Sequence, residues 1–156
     1  MRLRSVPYLS LALGCAPALS ACNVGEPADQ IRWERVIGFI FAAPSGAPVI
    51  ADVPATARAG MPFTVTVNTF GSSTCVRQDG ASVAIQGSLA EIIPYDRVPR
   101  LGSGAPCTAD FSAHPRPVSL QFTTVGPATI RVIGRSVAGT GMEVLDTVEA
   151  GASILP

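Results

Sequence analysis

The feature that most constrains the fold of this chain is a period of two in its apolar residues, repeated in short runs. The clearest run is FTVTVNT at residues 63–69, where an apolar residue alternates with threonine or asparagine. Neighbouring side chains of a β-strand point to opposite faces, so this pattern predicts a strand with one face in a core and the other in water. Further short strands are predicted at residues 82–86, 90–95, 118–122, 128–134 and 142–148. No segment after residue 31 shows the period of an amphipathic helix.

The segment at residues 31–41 also carries an apolar residue at most odd positions, and residues 36–43 are almost wholly apolar. Its β-branched and aromatic side chains favour a strand that is covered on both faces. Pro44, Ser45 and Gly46 end this strand, and residues 48–53 form a second extended piece. Longer loops are predicted at residues 71–80 and, with an irregular course, from Asp96 to Pro117. Seven or eight short strands separated by turns predict an all-β fold, a single antiparallel sandwich.

Two phrases in the chain lead into predicted strands. One is AGMPFTVTV at residues 59–67, and the other is FTTVGPATIRV at residues 122–132. They are similar to phrases found in bacterial immunoglobulin-like and fibronectin-III-like modules. The resemblance covers about residues 35–150 and implies an immunoglobulin-like β-sandwich. These phrases are patterns of a fold, and they imply no function.

The first 20 residues have the composition of an export signal. Arg2 and Arg4 form a positive head, and residues 5–20 carry no charge and are mostly apolar. A positive head, an apolar middle and a small-residue end are typical of a secretory signal peptide. A spanning helix needs roughly 20 apolar residues, and this run is shorter and contains Pro7 and Pro17. The segment therefore predicts secretion and not a membrane span.

The tetrapeptide Leu19-Ser20-Ala21-Cys22 closes this segment. It resembles the lipobox of bacterial lipoproteins, which has an aliphatic residue, two small residues and a cysteine. The resemblance implies cleavage before Cys22 and acylation of that residue, which would make the membrane a partner through the lipid anchor. Cys15 is a weaker candidate, and ordinary cleavage after Ser20 is the alternative. Asn23 follows the cysteine, which favours delivery to an outer membrane where the cell has one and otherwise the outer face of the cytoplasmic membrane.

Cleavage before Cys22 leaves 135 of the 156 residues, enough for one domain with a core. The predicted organisation is a signal peptide at residues 1–21, a tether at 22–30 and one immunoglobulin-like domain at 31–156. All eleven basic residues are arginine, and losing Arg2 and Arg4 leaves nine of them against eleven acidic residues. That balance predicts no attraction to nucleic acid or to anionic lipid.

Cys75 and Cys107 are the two cysteines that remain in the predicted domain. Thiols oxidise readily in exported proteins, so these two cysteines favour a disulfide over a metal site. Each antiparallel strand reverses the chain, so the loop after residues 63–69 and the loop before residues 118–122 lie at the same end. In immunoglobulin-like folds these two strands are also neighbours. The chain therefore predicts a structural Cys75–Cys107 bridge.

No arrangement of residues in the chain predicts catalysis, a cofactor or a metal. His114 is the only histidine, and it is expected to be a solvated loop residue. Its closeness in sequence to Asp110 and Ser112 does not make a triad, because triads are defined in space. Zinc needs three or four ligands. Asp79 and Asp96, together with Asp110, lack the close spacing of a calcium-binding loop.

Four residues lie in or beside the long predicted loop and are candidates for a binding surface: Tyr95, Arg97, Arg100 and Phe111. Aromatic and arginine side chains are enriched at contact surfaces. In an immunoglobulin-like order, loops 71–80, 96–117 and 135–141 would fall at the same end of the domain. The favoured function is a lipid-tethered, non-enzymatic module of a bacterial envelope that contacts a protein or glycan or serves as an accessory subunit. The alternative is an envelope hydrolase or carbohydrate-active accessory that uses the loop from Asp96 to Pro117.

Overall fold

The computed structural model describes residues 31–41, 46–139 and 141–156. The predicted signal peptide, the tether, Cys15 and Cys22 lie outside the described residues. Within them the chain forms nine strands: β1 (Trp33–Ile37), β2 (Ile50–Ala51), β3 (Thr56–Arg58), β4 (Phe63–Gly71), β5 (Arg77–Gln86), β6 (Leu89–Pro99), β7 (Ser112–Leu120), β8 (Gly126–Val137) and β9 (Glu143–Leu155). No described residue is helical, so that part of the chain has no helix that could cross a membrane. The prediction of an all-β chain is confirmed.

The strands form two sheets. The six-stranded sheet has the order β1-β6-β8-β9-β3. β1 and β8 pair with different stretches of one edge of β6, and β5 pairs along its other edge. The three-stranded sheet has the order β2-β4-β7. The prediction of a purely antiparallel fold is wrong, because β6 pairs in parallel with β8, and β3 in parallel with β9. Between β6 and β8 the chain runs through β7 in the other sheet. Alternation along one strand says which face is buried, but not the direction of the strand beside it.

Several strands are longer than predicted, and one was not predicted. β5 begins at Arg77, inside the predicted loop 71–80, and β3 is the strand that was not predicted. β6 runs to Pro99 and β7 begins at Ser112, so the irregular stretch predicted from Asp96 to Pro117 shrinks to residues 100–111. Proline content suggested a loop there. β7 is an edge strand of its sheet, however, and an edge strand tolerates proline because its outer backbone groups need no ladder partner.

One apolar core lies between the sheets and takes side chains from both. The alternation predicted for residues 63–69 holds as far as Val67, because Val65 and Val67 are fully buried while Thr64 is exposed, but Asn68, predicted on the water-facing side, is buried as well. From the facing sheet, Ile92 and Ile130 are buried just as completely. Burial of a side chain of this size contributes about 1.5–3 kcal/mol, so the inward-facing rows provide most of the driving force for folding.

The segment between β1 and β2 crosses from one sheet to the other and needs glycine to do so. Gly38 donates its N–H to the Pro94 carbonyl of β6 at 2.7 Å, and the Phe39 carbonyl accepts the N–H of Phe70 in β4 at 2.8 Å. A Cβ on Gly38 would lie 2.3 Å from Thr69 Cγ2. A Cβ on Gly134 would lie 2.6 Å from the side chain of Ile40 in the crossing segment. Both glycines let backbone and side chains approach closely where the sheets meet.

Candidate functional site

The four predicted binding residues do not form one loop surface. Tyr95 and Arg97 lie in β6. Arg100 directly follows β6 and forms an ion pair with Glu34 at 3.7 Å. Phe111 stands at the end of the 100–111 loop, just before β7. The structure therefore divides the predicted site into an aromatic surface around Phe111 and an arginine-bearing surface around Tyr95 and Arg97.

The aromatic surface lines a shallow cavity of about 360 Å³ formed by Phe39, Phe41, Phe111 and Val137, here called the aromatic patch. Phe111 meets Phe39 edge to face at a ring-centroid distance of 6.2 Å and Phe41 at 6.4 Å. Phe41 is 44% exposed and Phe111 is 42% exposed. Sequence alternation predicted Phe39 and Phe41 as strand residues and did not predict Val137 as part of a site. The four side chains come together because the segment after β1 crosses between the sheets and because β8 ends at Val137.

Phe111 has a rigid support beneath it. Its ring stacks on that of Phe70 in β4, with centroids 5.8 Å apart and planes only 8° from parallel. Phe70 is itself 2% exposed and belongs to the core. A ring stacked on a core residue keeps a defined orientation while its other face stays accessible. The aromatic patch is thus an exposed apolar surface anchored on the core.

The predicted disulfide is confirmed. Cys75 and Cys107 are bonded, with Cα atoms 5.4 Å apart across a sequence separation of 32. The predicted neighbourhood of the two flanking strands is also confirmed, because β4 pairs with β7 along its whole length, from Phe63 opposite Leu120 to Gly71 opposite Ser112. The bridge joins the loop after β4 to the loop before β7, and so fixes the loop that presents Phe111.

Asp110 ties the same two loops together. Its carboxylate accepts hydrogen bonds from the hydroxyls of Ser112, at 2.6 Å, and Thr108, and from the backbone N–H of Ser73 at 3.2 Å. These donors, with Ser112 first, hold the pKa of Asp110 well below its ordinary value. Because the folded-state pKa is depressed, the contribution of this carboxylate to stability is present above its unfolded pKa and is lost as pH falls through the folded one.

The arginine-bearing surface lies on the outward face of the six-stranded sheet. Arg97 in β6 is in register with Arg35 of β1 on one side and with Arg77 of β5 on the other. The Arg35 guanidinium lies 3.9 Å from the ring centroid of Tyr95, and that of Arg77 lies 3.9 Å from Trp33. The three arginines and two aromatic residues are called the arginine face. Asp79 accepts from Arg35 at 3.0 Å and from Arg97 at 2.9 Å.

A buried ion pair joins the sheets and was not predicted. Arg116 of β7 and Asp96 of β6 have side chains only 4% and 2% exposed, and Arg116 Nη2 donates to Asp96 Oδ1. The same nitrogen donates to Thr69 Oγ1, and that hydroxyl donates to Asp96 Oδ1 at 3.1 Å. Arg116 Nη1 donates to the carbonyls of Tyr95 and, at 2.9 Å, of Gly80. This network links four strands from both sheets.

His114 lies within β7, opposite Thr69, so its predicted place in a solvated loop is wrong. Its Nε2 is buried and has no hydrogen-bond partner among the described residues. The Ser112 hydroxyl donates a hydrogen bond to Asp110, and His114 takes no part in that hydrogen bond. The described part of the chain contains no group of three or more His, Cys, Asp or Glu side chains that could hold a metal.

No protein-family model matches this chain, and comparisons with curated proteins and with solved structures found no match either.

Proposed function

We propose that this protein is a lipid-anchored, non-enzymatic binding module of a bacterial cell envelope, built on an immunoglobulin-like β-sandwich. The lipobox Leu19-Ser20-Ala21-Cys22 supports acylation of Cys22 and delivery to the outer membrane, or to the outer face of the cytoplasmic membrane where no outer membrane exists. The Cys75–Cys107 disulfide supports export, because such bonds persist in oxidising compartments. The adjacency of β4 and β7 supports an immunoglobulin-like strand order.

The observation that carries the binding role is the aromatic patch. Contiguous exposed apolar surface on a soluble domain marks a contact site, and aromatic residues are enriched among those that dominate binding energy. All four lining side chains are apolar. Such a lining suits the apolar side chains of a protein partner better than the hydroxyl-covered surface of a glycan. The disulfide and the stacked Phe70 hold the patch in place before binding, which lowers the ordering cost of association.

Acylation of Cys22 is tested at the mature amino terminus. Mass spectrometry should find a terminal Cys22 that carries acyl chains. Cys22→Ala should leave the precursor unprocessed or the protein soluble, whereas the control Cys15→Ala should be processed and anchored as the wild type is. Stable anchoring is expected because two or more chains hold a protein on a membrane and one chain does so only marginally. An unmodified terminus at Ala21 in the wild type would disprove the lipid anchor.

The binding role of the aromatic patch is tested by photocrosslinking on intact cells. A photoreactive phenylalanine analogue at Phe41 or Phe111 should capture one and the same envelope protein, identified by mass spectrometry. The matched control is the same analogue at Val125, which is 55% exposed and lies beyond the opposite ends of β4 and β7. We expect no such adduct there. Identical adducts from all three positions, or none from Phe41 and Phe111, would show that the patch is not the contact surface.

A further inference from the structure

The arginine face carries an excess of positive charge, although the overall composition of the chain is nearly neutral. Arg35, Arg77 and Arg97 lie on it, and Arg32 and Arg100 flank it at the strand ends, where Arg100 pairs with Glu34 towards the opposite face of the sheet. The Arg100 N–H donates to the Arg32 carbonyl at 2.6 Å, which places these two residues together at the start of β1. Among the described residues, Glu34 and Asp79 are the acidic residues that form ion pairs with these arginines. The remaining described residues carry four arginines and seven acidic residues. The described part of the chain is therefore polarised, with a positive excess at one end of one sheet.

Tyr95 and Trp33 orient two of these arginines so that their N–H donors can bind an anion. A guanidinium that stacks on a ring has its face covered, while the N–H donors on its edge still point outward. Arg35 on Tyr95 and Arg77 on Trp33 have this arrangement. Arg35 and Arg97 are 54% and 58% exposed even with Asp79 beside them. Planar donors that are fixed and accessible match phosphate oxygens, which accept paired hydrogen bonds from arginine.

The place of the arginine face in the chain points to where the phosphates come from. Trp33 and Arg35 are in the first strand, and only residues 23–30 separate Ile31 from Cys22. A chain of that length cannot reach further than about 30 Å even when fully extended. If Cys22 carries lipid, the start of β1 stays close to the headgroups at all times.

We propose that the arginine face binds the phosphates of anionic lipids in the membrane to which Cys22 is anchored, so that the domain lies on that membrane in one orientation. This inference rests on the proposed lipid anchor. The net charge of the mature protein gives no such attraction, and the effect comes from the charge distribution. Each arginine near an anionic surface strengthens the contact about fivefold. The contact weakens as salt is added, because the screening length falls from about 10 Å at 0.1 M to about 3 Å at 1 M.

The single tryptophan provides the measurement, since Trp33 lies in the arginine face. The mature acylated protein is reconstituted into phosphatidylcholine vesicles with or without phosphatidylglycerol, and a lipid spin-labelled at its headgroup is included as quencher. We expect Trp33 quenching to rise severalfold with phosphatidylglycerol and to fall again at high salt. Arg97→Glu should abolish the rise. The control Arg58→Glu changes the same charge on β3, at the far edge of the sheet, and should leave it intact.

Equal quenching in neutral and anionic vesicles, or equal behaviour of Arg97→Glu and Arg58→Glu, would overturn the inference while leaving the anchor in place. Arg97→Gln, a milder change, should reduce the rise partially if Arg97→Glu proves unstable in thermal melting. If mass spectrometry finds no acyl chains, the anchor has failed. The unacylated protein added to the same vesicles then still tests the arginine face, because charge-dependent quenching needs no anchor.

Discussion

Replacing Asp96 by asparagine is expected to lower the free energy of unfolding by about 3–5 kcal/mol. The change removes the countercharge of Arg116 at a site where both side chains are almost wholly buried. A guanidinium left unpaired in the core has lost its hydration and has no ion pair to compensate for that cost. The network also joins β6 and β7 across the two sheets, so the substitution weakens a contact that holds the sheets together. Denaturant unfolding of the mature, oxidised protein measures the effect.

The matched control is Asp79→Asn, which removes the same charge from ion pairs with Arg35 and Arg97 on the surface. Exposed pairs contribute at most about 1 kcal/mol, because water and salt screen them. The double replacement Asp96→Leu with Arg116→Met should recover part of the loss, since a buried pair exchanged for apolar residues leaves no charge unpaired. If Asp96→Asn costs no more than Asp79→Asn, the buried pair does not stabilise the fold.

Cys75→Ser is expected to lower the free energy of unfolding by about 3–4 kcal/mol, because opening a 32-residue loop restores freedom to the unfolded chain. For a domain of this size, the melting temperature should fall by about 10 °C or more. The bridge connects the five-residue loop between β4 and β5 to the longer loop between β6 and β7, which has no regular structure. Loss of the bridge should therefore also loosen Phe111 and weaken capture at the aromatic patch. Calorimetry and the photocrosslinking yield measure the two effects.

Reduction supplies the internal control for the disulfide. Complete reduction of the wild type should lower its melting temperature by about as much as Cys75→Ser does, while reduction should leave the double variant Cys75→Ser, Cys107→Ser unchanged. A wild type that melts at an unchanged temperature after reduction, with both thiols shown free by mass spectrometry, would mean that the bridge has no structural role.

The buried pair shows what a pattern can predict and where local signals mislead. Asp96 continues the inward series of β6, in which Ala90 and Ile92 are fully buried. Arg116 likewise precedes Val118 by two positions in β7, on the buried face. Extending the two alternations by a few residues would have placed both charges in the core. The predicted loop from Asp96 to Pro117 included both residues instead, and charged residues are rarely buried unless they are paired. The pairing partner was 20 positions away in the chain.

The candidate site depends even more on tertiary structure. Phe111 was predicted as a contact residue because it is aromatic and lies in a loop. Its companions Phe39 and Phe41 approach it only because the chain crosses between sheets at Gly38. Tyr95 and Arg97 were predicted beside Phe111, yet their strand carries them to the outward face of the six-stranded sheet, where register sets Arg35 and Arg77 beside Arg97.

Local sequence patterns were enough to predict the all-β class, the inward valines of β4 and the pairing of the two cysteines. Alternation is a local property of a strand, and only one pair of thiols remained in the predicted domain. The parallel pairing of β6 with β8, the burial of the Arg116–Asp96 pair and the separation of the aromatic patch from the arginine face follow from the packing of the whole domain. A strand's pattern specifies only which side faces the core. Which strand lies beside it, and in which direction, depends on how all the strands pack together.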